Sequence, residues 1–422
     1  MSLPGSKSLT NRVLVLSALA AGPSRVQRPL LARDTTLMVD GLRALGTSIT
    51  AGEGTGGDWA EGADDRRDGV ASWLIEPSTL RGPAQIDCGL AGTVMRFLPV
   101  VATLADGPAH FDGDPRARER PMAQTLGTLR TLGASVTSTT GRDTLPFTVH
   151  GAGAVPGGVV RLDASGSSQF VSALMLAGAR FRAGVDIRHE GKPVPSSPHL
   201  AMTAAELRRR GVDVDDAEPN RWVVRPGGID AWDCDIEPDL SNAAPFLAAA
   251  LATGGTVRVP DWPQHTEQAG DELRSLLAGM GAEVRRDDSG LTVDAGAAIE
   301  PISADLHDVG ELTPVIAALC ALATGTSVLS GIAHLRGHET DRLAAIATEI
   351  NALGGQVSEL DDGLRIQPKP LRPGRWHTYA DHRMAHAGAV LGLAVAGIEL
   401  EDVATTAKTF PGFAEAWQRM LQ

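Results

Sequence analysis

The sequence predicts a mixed α/β fold in two domains, each built from three copies of one repeated unit. Three observations lead to this prediction. The length of 422 residues exceeds the roughly 150 residues of an ordinary domain. Six apolar, helix-like stretches recur along the chain, and five amphipathic stretches end in a glycine followed by a strand-like run. The repeat length of about 70 to 87 residues is too long for a solenoid unit.

The six apolar helices are predicted at equivalent places in the repeats. Nearly all of them open with residues that cap a helix or present polar groups at its N-terminus. The openings are Ser8-Leu9-Thr10-Asn11-Arg12, Ala91-Gly92-Thr93-Val94-Met95-Arg96, Ser167-Ser168-Gln169-Phe170, Ser241-Asn242-Ala243-Ala244, Glu311-Leu312-Thr313-Pro314 and Asp381-His382-Arg383-Met384. The segment from Ser8 to Ala21 therefore matches five internal segments. A secretory signal peptide, the alternative interpretation of this basic and apolar start, would not explain those matches.

The amphipathic helices are predicted to end at glycine. A helix commonly stops at a residue in the left-handed conformation, which glycine adopts without steric cost. The dipeptides that mark these ends are Leu45-Gly46, Leu132-Gly133, Arg210-Gly211, Met280-Gly281 and Leu353-Gly354. A run containing Val or Ile follows each dipeptide, so we expect a strand after each helix.

Composition describes a globular protein with an acidic surface. Hydrophobic residues make up 43% of the chain, and the formal net charge is -13. Nucleic acid and anionic membranes would be repelled, so we expect neither as a partner, and no apolar run is long enough to span a bilayer. Cys88, Cys234 and Cys320 are far apart and lack metal-ligand spacing. This pattern indicates a reducing compartment and no metal site, and we predict a cytoplasmic protein.

Lysine is informative because it is rare. The chain has 38 Lys+Arg, of which four are lysines, which leaves 38 − 4 = 34 arginines. Lys7 lies in a Gly/Ser turn, Leu3-Pro4-Gly5-Ser6-Lys7-Ser8, that opens a helix. Backbone N–H groups and the helix dipole favour an anion at such a place. An ordinary helix cap explains the same turn equally well, and the spacing is not that of a nucleotide P-loop, so ATP is not implied.

Other cationic residues stand at repeat openings or turns. They are Arg96, Arg120, Arg342, Arg383 and Lys408. Guanidinium groups bind carboxylate and phosphate oxygens in pairs, so their convergence would suit a ligand rich in such oxygens. For Arg120, which ends the charge run from Arg116, a solvated loop is the competing interpretation.

Seven segments together resemble the EPSP synthase family from Leu3 to Pro411. They are Leu3-Pro4-Gly5-Ser6-Lys7-Ser8 with Asn11-Arg12, Ala91-Gly92-Thr93-Val94-Met95-Arg96, Glu119-Arg120-Pro121, Ser167-Ser168-Gln169-Phe170, Glu339-Thr340-Asp341-Arg342-Leu343, Asp381-His382-Arg383-Met384-Ala385 and Ala407-Lys408-Thr409-Phe410-Pro411. One such segment could arise by chance, but seven in the family's order are specific.

The resemblance implies a two-domain inside-out α/β barrel of six βαβαββ-type repeats. The first enolpyruvyl transferase domain, on the shikimate 3-phosphate side, would be residues 5–236. The second would be residues 237–422, with residues 1–4 as a candidate addition.

The resemblance also implies an activity. Members transfer the enolpyruvyl (1-carboxyvinyl) group of phosphoenolpyruvate to the 5-hydroxyl of shikimate 3-phosphate. The reaction passes through a tetrahedral intermediate, releases phosphate and belongs to the shikimate pathway that leads to chorismate and aromatic amino acids. Arginines neutralise the charge of both substrates, so no metal and no cofactor are expected. We expect the two small-molecule substrates as partners and a monomer as the working form.

The resemblance carries over to individual residues. Phosphoenolpyruvate would contact Lys7, Gly92, Arg120, Gln169, Arg342, Arg383 and Lys408. Shikimate 3-phosphate would contact Lys7, Ser8, Arg12, Ser167, Ser168, Gln169, Ser196, Glu311 and His338. The catalytic residues would be Lys7, Glu311 and Glu339. Our hypothesis assigns C3 protonation and its reversal to Glu339, and assigns the hydroxyl proton and the departing phosphate to Glu311 and Lys7.

Four residues depart from the family's usual pattern. Glu311 stands in place of an aspartate, which lengthens its reach by one methylene. His199, His334 and His338 stand where other members carry tyrosine, asparagine and lysine. Polar surface histidines are an alternative interpretation of these three.

Two other functions are possible for a chain with these features. The UDP-N-acetylglucosamine enolpyruvyl transferase family has a similar six-repeat architecture, but its usual loop cysteine is missing between Asp112 and Met122. A non-catalytic repeat scaffold that binds a partner protein would show no dependence on Lys7 or Glu339.

Overall fold

A computed structural model describes residues 1–52, 71–138 and 140–422 of the chain. The described residues form a mixed α/β fold of short helices and small sheets. The α-helices are α1 (Lys7–Ala18), α2 (Arg33–Ala44), α3 (Gly92–Ala102), α4 (Ala123–Thr131), α5 (Gln169–Gly178), α6 (Pro198–Arg209), α7 (Leu240–Thr253), α8 (Leu273–Gly279), α9 (Thr313–Ala321), α10 (Arg342–Ala352), α11 (His382–Ala394) and α12 (Phe413–Met420). Short 3₁₀ helices lie at Ala117–Glu119, Ala269–Glu272, Gly310–Leu312, Ala333–Gly337 and Val403–Lys408.

The strands are short and numerous. In the first half of the chain they are β1 (Ser24–Gln27), β2 (Ser48–Ala51), β3 (Ser72–Glu76), β4 (Ala84–Asp87), β5 (Asp106–Asp112), β6 (Ser135–Ser138), β7 (Phe147–Ala152), β8 (Gly158–Leu162), β9 (Val185–His189), β10 (Val214–Asp215), β11 (Arg221–Val224) and β12 (Cys234–Asp235). In the second half they are β13 (Thr256–Pro260), β14 (Glu283–Asp287), β15 (Gly290–Asp294), β16 (Ser303–Asp305), β17 (Ser327–Ser330), β18 (Gln356–Leu360), β19 (Gly363–Gln367), β20 (Gly374–Trp376) and β21 (Ile398–Leu400).

The chain divides into two compact units. The N-terminal unit is Gly5–Glu237, and the C-terminal unit is Met1–Pro4 together with Pro238–Gln422. Each unit has its own apolar core among the described residues. The division lies next to the predicted boundary between residues 236 and 237. The assignment of each domain to a substrate stays a prediction.

Among the described strands, four of the six sheets repeat one pairing pattern. In the N-terminal unit the strand orders are β12-β1-β3-β2, β4-β5-β7-β6 and β10-β11-β9-β8. In the C-terminal unit they are β13-β15-β14, β16-β17-β19-β18 and β20-β21. The recurring element is a parallel pair, such as β4 with β5 or β16 with β17, extended by an antiparallel hairpin. Strand β12 pairs in parallel with β1, so the end of the N-terminal unit is tied to its beginning.

The five predicted glycine ends are confirmed as left-handed residues. Their φ angles are +106° at Gly46, +90° at Gly133, +73° at Gly211, +94° at Gly281 and +91° at Gly354. At each of them a strand follows within a few residues. These helices therefore end where a residue without a Cβ permits the reversal of the backbone.

The six predicted apolar helices are α1, α3, α5, α7, α9 and α11, and most of their residues are buried. One opening differs in detail. Glu311 lies in a 3₁₀ turn, and α9 begins after it at Thr313 with Pro314 in its first turn. Proline fits that position because the first N–H groups of a helix have no partner within it. No helix in the described part of the chain is both long and apolar enough to cross a membrane.

Candidate active site

The first helix of the N-terminal unit begins at the predicted anion-binding turn. Ser6 is the N-cap residue of α1, and its Oγ accepts a hydrogen bond from the Leu9 N–H at 3.4 Å. The Nζ of Lys7 lies 3.5 Å from Oδ2 of the buried Asp34. A carboxylate thus orients the lysine ammonium at the positive end of the helix dipole.

Arg12 is a buried guanidinium with neutral hydrogen-bond partners. It donates to Thr203 Oγ1 at 2.7 Å, Ser172 Oγ at 3.1 Å, and the backbone oxygens of Ser8 at 2.9 Å and His199 at 3.1 Å. Burial lowers its pKa to about 10, and the more distant charge of Glu206 opposes this shift. The side chain therefore stays charged at neutral pH while it ties α1 to α5 and α6.

Three of the predicted phosphoenolpyruvate residues converge with Arg96. A Cβ at Gly92 would lie 3.1 Å from Arg96 Nη1, 3.1 Å from Gln169 Oε1 and 3.5 Å from Arg120 Nη1. The Arg120 Nη1 donates to the Leu90 oxygen at 3.4 Å, while its buried Nε has no partner among the described residues. The space beside Gly92 is therefore bordered by two guanidinium groups, which are donors that suit an anion, and by the amide oxygen of Gln169.

The predicted serines stand at two helix beginnings. Ser167 Oγ accepts a hydrogen bond from the Gln169 N–H at 3.2 Å, and Ser168 is the N-cap residue of α5. Ser196 precedes α6 and has a left-handed φ of +56°. Their prediction as shikimate 3-phosphate contacts stays untested.

Arg342 is the centre of a charged cluster in the C-terminal unit. It is fully buried at the first position of α10. Its Nε lies 2.8 Å from Asp381 Oδ2, its Nη2 lies 3.1 Å from Glu339 Oε2, and its Nη1 lies 3.2 Å from Glu311 Oε2. Burial alone would lower its pKa, but the attraction of these carboxylates outweighs burial and raises the pKa far above its usual range. Arg342 is therefore a permanent cation.

Glu311 bridges two arginines. Its Oε2 lies 3.2 Å from the Arg342 Nη1 and 3.2 Å from the Arg383 Nε. Burial would raise its pKa, but the two guanidinium charges hold the pKa well below its usual range. Its side chain keeps 33% of its surface exposed. Glu311 is therefore a carboxylate that can accept a hydrogen bond from a ligand hydroxyl.

Glu339 bridges Arg342 and Lys408. Its Oε2 accepts from Arg342, and its Oε1 lies 2.6 Å from the Nζ of the buried Lys408. The Arg383 guanidinium, which binds Glu311 through its Nε, also donates from Nη1 to the Ser241 backbone oxygen at 2.9 Å. The predicted residues of this unit thus form one connected network.

His338 joins the same network as a neutral ring. Its Nδ1 lies 3.2 Å from Arg342 Nη1 and accepts a hydrogen bond from it, which places the ring proton on Nε2. Burial, and then the charge of Arg342, lowers the pKa of His338 to about 3. His334 packs edge-on against His338, with ring centroids 5.8 Å apart, and burial lowers its pKa to about 4. His338 therefore differs from a solvated surface histidine.

Comparison with known proteins decides the family. Residues 1–417 match the family model described as EPSP synthase (3-phosphoshikimate 1-carboxyvinyltransferase). The chain belongs to the EPSP synthase family. A relative from Kocuria rhizophila named 3-phosphoshikimate 1-carboxyvinyltransferase is 53% identical over 422 residues, which cover 100% of this chain and 93% of the relative. The resemblance predicted from the seven segments is thereby confirmed.

Solved structures of EPSP synthase and of a related enolpyruvyl transferase share the fold. EPSP synthase from Acinetobacter baumannii matches with a TM-score of 0.79 at 24% identity and covers 100% of this chain and 95% of its own. The enolpyruvyl transferase NikO from Streptomyces tendae matches with a TM-score of 0.75 at 18% identity, covering 100% and 94%. These matches confirm the predicted mixed α/β fold. The inside-out barrel arrangement stays a prediction.

Sequence reasoning missed several residues that position the EPSP synthase side chains. Asp381 is fully buried and pairs with Arg342, Asn242 Oδ1 accepts from Arg383 at 3.2 Å, and Asp34 pairs with Lys7. The signal for Asp381 was present, since it begins the Asp-His-Arg segment of the resemblance. Nothing local marks Asp34. Among the residues that the structure describes, no group of three His, Cys, Asp or Glu side chains is arranged to hold a metal ion.

Proposed function

We propose that this member of the EPSP synthase family transfers the enolpyruvyl group of phosphoenolpyruvate to the 5-hydroxyl of shikimate 3-phosphate and releases phosphate. The observation that carries the proposal is the position of Glu339 between Arg342 and Lys408, at 3.1 and 2.6 Å. Protonation of an anionic enol ester requires a proton donor at the reacting carbon and cations that bind the negative charge of the substrate, and Glu339 lies among such cations. The 53% identical relative is named for the same reaction.

The proton steps follow from the charges around Glu339. In the addition, a bond forms between O5 of shikimate 3-phosphate and C2 of phosphoenolpyruvate while Glu339 gives a proton to C3. In the elimination, C3 returns a proton to Glu339 as the C2–O bond to phosphate breaks. Substrate anions that bind Arg342 and Lys408 draw these cations away from Glu339. Its carboxylate then gains proton affinity and can act as the acid.

Glu311 and Lys7 serve the hydroxyl and the phosphate. Glu311 is held as a carboxylate by Arg342 and Arg383, so it accepts the hydrogen bond of the attacking 5-hydroxyl, and it takes up the proton when substrate anions offset the charge of the two arginines. Lys7 stands at the start of α1 and donates to the departing phosphate.

The remaining predicted residues bind the two substrates. We propose that Arg120, Gln169 and the open space at Gly92 hold phosphoenolpyruvate together with Lys7, Arg342, Arg383 and Lys408. Shikimate 3-phosphate binds Ser8, Arg12, Ser167, Ser168, Ser196 and His338, with Lys7, Gln169 and Glu311. The Nε of Arg120, which has no partner among the described residues, and the charge of Arg12 support this assignment.

We also propose a cytoplasmic monomer that has these small molecules, and no nucleic acid, as its partners. The formal net charge of -13 supports the absence of nucleic acid. Cys88, Cys234 and Cys320 are free thiols, as is usual in a reducing compartment.

Phosphate release tests the proposal. The protein is incubated with phosphoenolpyruvate and either shikimate 3-phosphate or UDP-N-acetylglucosamine. We expect phosphate only with shikimate 3-phosphate. Lys7→Met should reduce release by about a hundredfold or more, because the phosphate loses its cationic donor. Lys369→Met removes an exposed lysine and is the control with unchanged activity. Turnover with only the sugar nucleotide, or full activity of Lys7→Met, would contradict the proposal.

A further inference from the structure

The segment of residues 377–381, here called the pre-helix segment, has an unusual backbone. It lies immediately before α11, and Tyr379 and Ala380 have left-handed φ angles of +54° and +52°. Such angles are uncommon in residues other than glycine and persist only where the surroundings hold them. The pre-helix segment must therefore be held by specific contacts.

Glu349 supplies several of these contacts. Its carboxylate is buried near the end of α10, and its Oε2 accepts a hydrogen bond from the His377 backbone N–H at 2.9 Å. The same oxygen lies 3.2 Å from the His377 Nδ1, and Oε1 accepts from the Tyr379 hydroxyl at 2.5 Å. Hydrogen bonds to a buried carboxylate are stronger than those between neutral groups.

Helix α10 holds both ends of the pre-helix segment. At the far end, Asp381 binds the Arg342 Nε through Oδ2, and its Oδ1 accepts from the Arg383 backbone N–H at 2.8 Å. Arg342 and Glu349 are seven residues apart, which is about two helical turns, so they lie on the same face of α10. Two residues on one face of α10 therefore hold the pre-helix segment. Glu349 binds His377 and Tyr379, and Arg342 binds Asp381.

The middle of the pre-helix segment is also fixed. The Thr378 backbone N–H donates to Glu401 Oε2 at 3.1 Å, and the Asp381 N–H donates to the Thr378 oxygen at 2.8 Å. The orientation of Asp381 and Arg383 at the start of α11 thus depends on a chain of contacts that ends at Glu349.

We propose that Glu349 is a positioning residue for enolpyruvyl transfer, acting through Tyr379 and the pre-helix segment on Asp381 and Arg383. It makes no described hydrogen bond to Arg342 or Arg383 itself. This inference rests on the proposed function, which assigns Arg342 and Arg383 to phosphoenolpyruvate. The predicted consequence is selective: binding of phosphoenolpyruvate suffers more than binding of shikimate 3-phosphate.

The test compares Glu349→Gln and Tyr379→Phe with a matched control. Gln loses one acceptor oxygen and the charge, and Phe loses the hydroxyl that reaches Glu349. Asn351→Ala is the control, because Asn351 lies on the same helix and exchanges two hydrogen bonds with Val357 of β18, away from the pre-helix segment. We expect both test variants to raise KM for phosphoenolpyruvate by about three- to tenfold, with KM for shikimate 3-phosphate changed less than about twofold. Asn351→Ala should lower the melting temperature and leave both KM values unchanged.

A second substitution provides a rescue. Ala380→Gly removes the steric cost of the left-handed angle at that position. Added to Tyr379→Phe, it should recover part of the lost phosphoenolpyruvate affinity. The inference is overturned if the test variants, like Asn351→Ala, have a lower melting temperature and unchanged KM values. Glu349 would then contribute to stability and not to substrate binding.

Hydrogen exchange separates this inference from the proposed function. Amides of residues 377–383 should exchange faster in Glu349→Gln and Tyr379→Phe than in Asn351→Ala. Unchanged exchange there would overturn the positioning role even in an active enzyme. An enzyme that releases no phosphate with shikimate 3-phosphate would instead overturn the proposed function, whatever the exchange shows.

Discussion

The charged cluster of the C-terminal unit contains equal numbers of cationic side chains and carboxylates among the described residues. Its cations are Arg342, Arg383 and Lys408, and its carboxylates are Glu311, Glu339 and Asp381. Because a buried charge without a partner is costly, each cation that turns to a substrate anion leaves a carboxylate with less compensation. Of the three carboxylates, Asp381 is fully buried, whereas the side chains of Glu339 and Glu311 keep 10% and 33% of their surface exposed. The two carboxylates that keep some exposed surface are those that the proposal assigns to proton transfer.

Glu339→Gln tests the role of the acid. The amide keeps the size of the side chain but cannot give a proton to C3, so kcat should fall by about a hundredfold or more while the fold stays intact. Phosphate release and the melting temperature measure the two effects. Glu359→Gln is the control, since Glu359 is a surface carboxylate paired with Arg336, and it should keep full activity. Equal activity of both variants would remove Glu339 from the mechanism.

The lowered pKa of His338 predicts that the stability of the protein depends on pH. Its pKa is lowered from 6.5 to about 3 in the folded protein, so the folded state favours the neutral ring. The unfolded chain binds a proton first, and stability is lost as pH falls from about 6.5 towards 3. Relative to His338→Gln, the wild-type free energy of unfolding should therefore drop by about 1–2 kcal/mol between about pH 7 and pH 5. Denaturant titrations at the two pH values measure the difference, and parallel behaviour of both proteins would contradict it.

At the scale of secondary structure elements, the helix ends follow local rules. A left-handed φ at the end of a helix favours glycine, and the five glycine-ending dipeptides in the sequence predicted where this occurs. The same residue type inside a helix has the opposite effect, because glycine lowers helix stability relative to alanine. Helix α4 contains both cases, with Gly127 in its interior and Gly133 after its end.

Alanine substitutions in α4 should therefore act in opposite directions. At Gly133, alanine must adopt a φ of +90°, and its Cβ would meet the Pro156 ring at 3.2 Å. We expect a loss of about 1–2 kcal/mol in the free energy of unfolding. At Gly127 a Cβ meets nothing within 4 Å, and alanine should stabilise the protein by up to about 1 kcal/mol. Denaturant midpoints measure both changes, and a shift in the same direction for both would refute the explanation.

At the scale of the whole molecule, the described apolar residues form separate cores. Leu14 is fully buried in the core of the N-terminal unit, and Leu319 is fully buried in the core of the C-terminal unit. No residue of either core belongs to the other among those described. Each unit is thus stabilised by its own packing.

Truncation of one core should destabilise one unit. Leu14→Ala and Leu319→Ala each remove a buried side chain at a cost of about 2–5 kcal/mol. Hydrogen exchange should accelerate mainly within residues 5–237 for the first variant and within 238–422 for the second. Equal acceleration throughout the chain for either variant would show that the two units unfold as one.

Sequence alone determined the repeat, the helix ends and the family of this protein. Capping residues, glycine ends and apolar runs act within a few residues, so they can be read without a structure. The seven segments, which include Lys7, Glu339 and Arg383, then identified the family.

Only the tertiary structure decided which of these residues touch. Asp381 and Arg342 are 39 positions apart, and Glu349 reaches Tyr379 from 30 positions away. The left-handed φ angles of Tyr379 and Ala380 could not be predicted from the sequence, because neither residue is a glycine. Such contacts arise because packing brings distant helices together, and a local pattern holds no information about a partner so far along the chain.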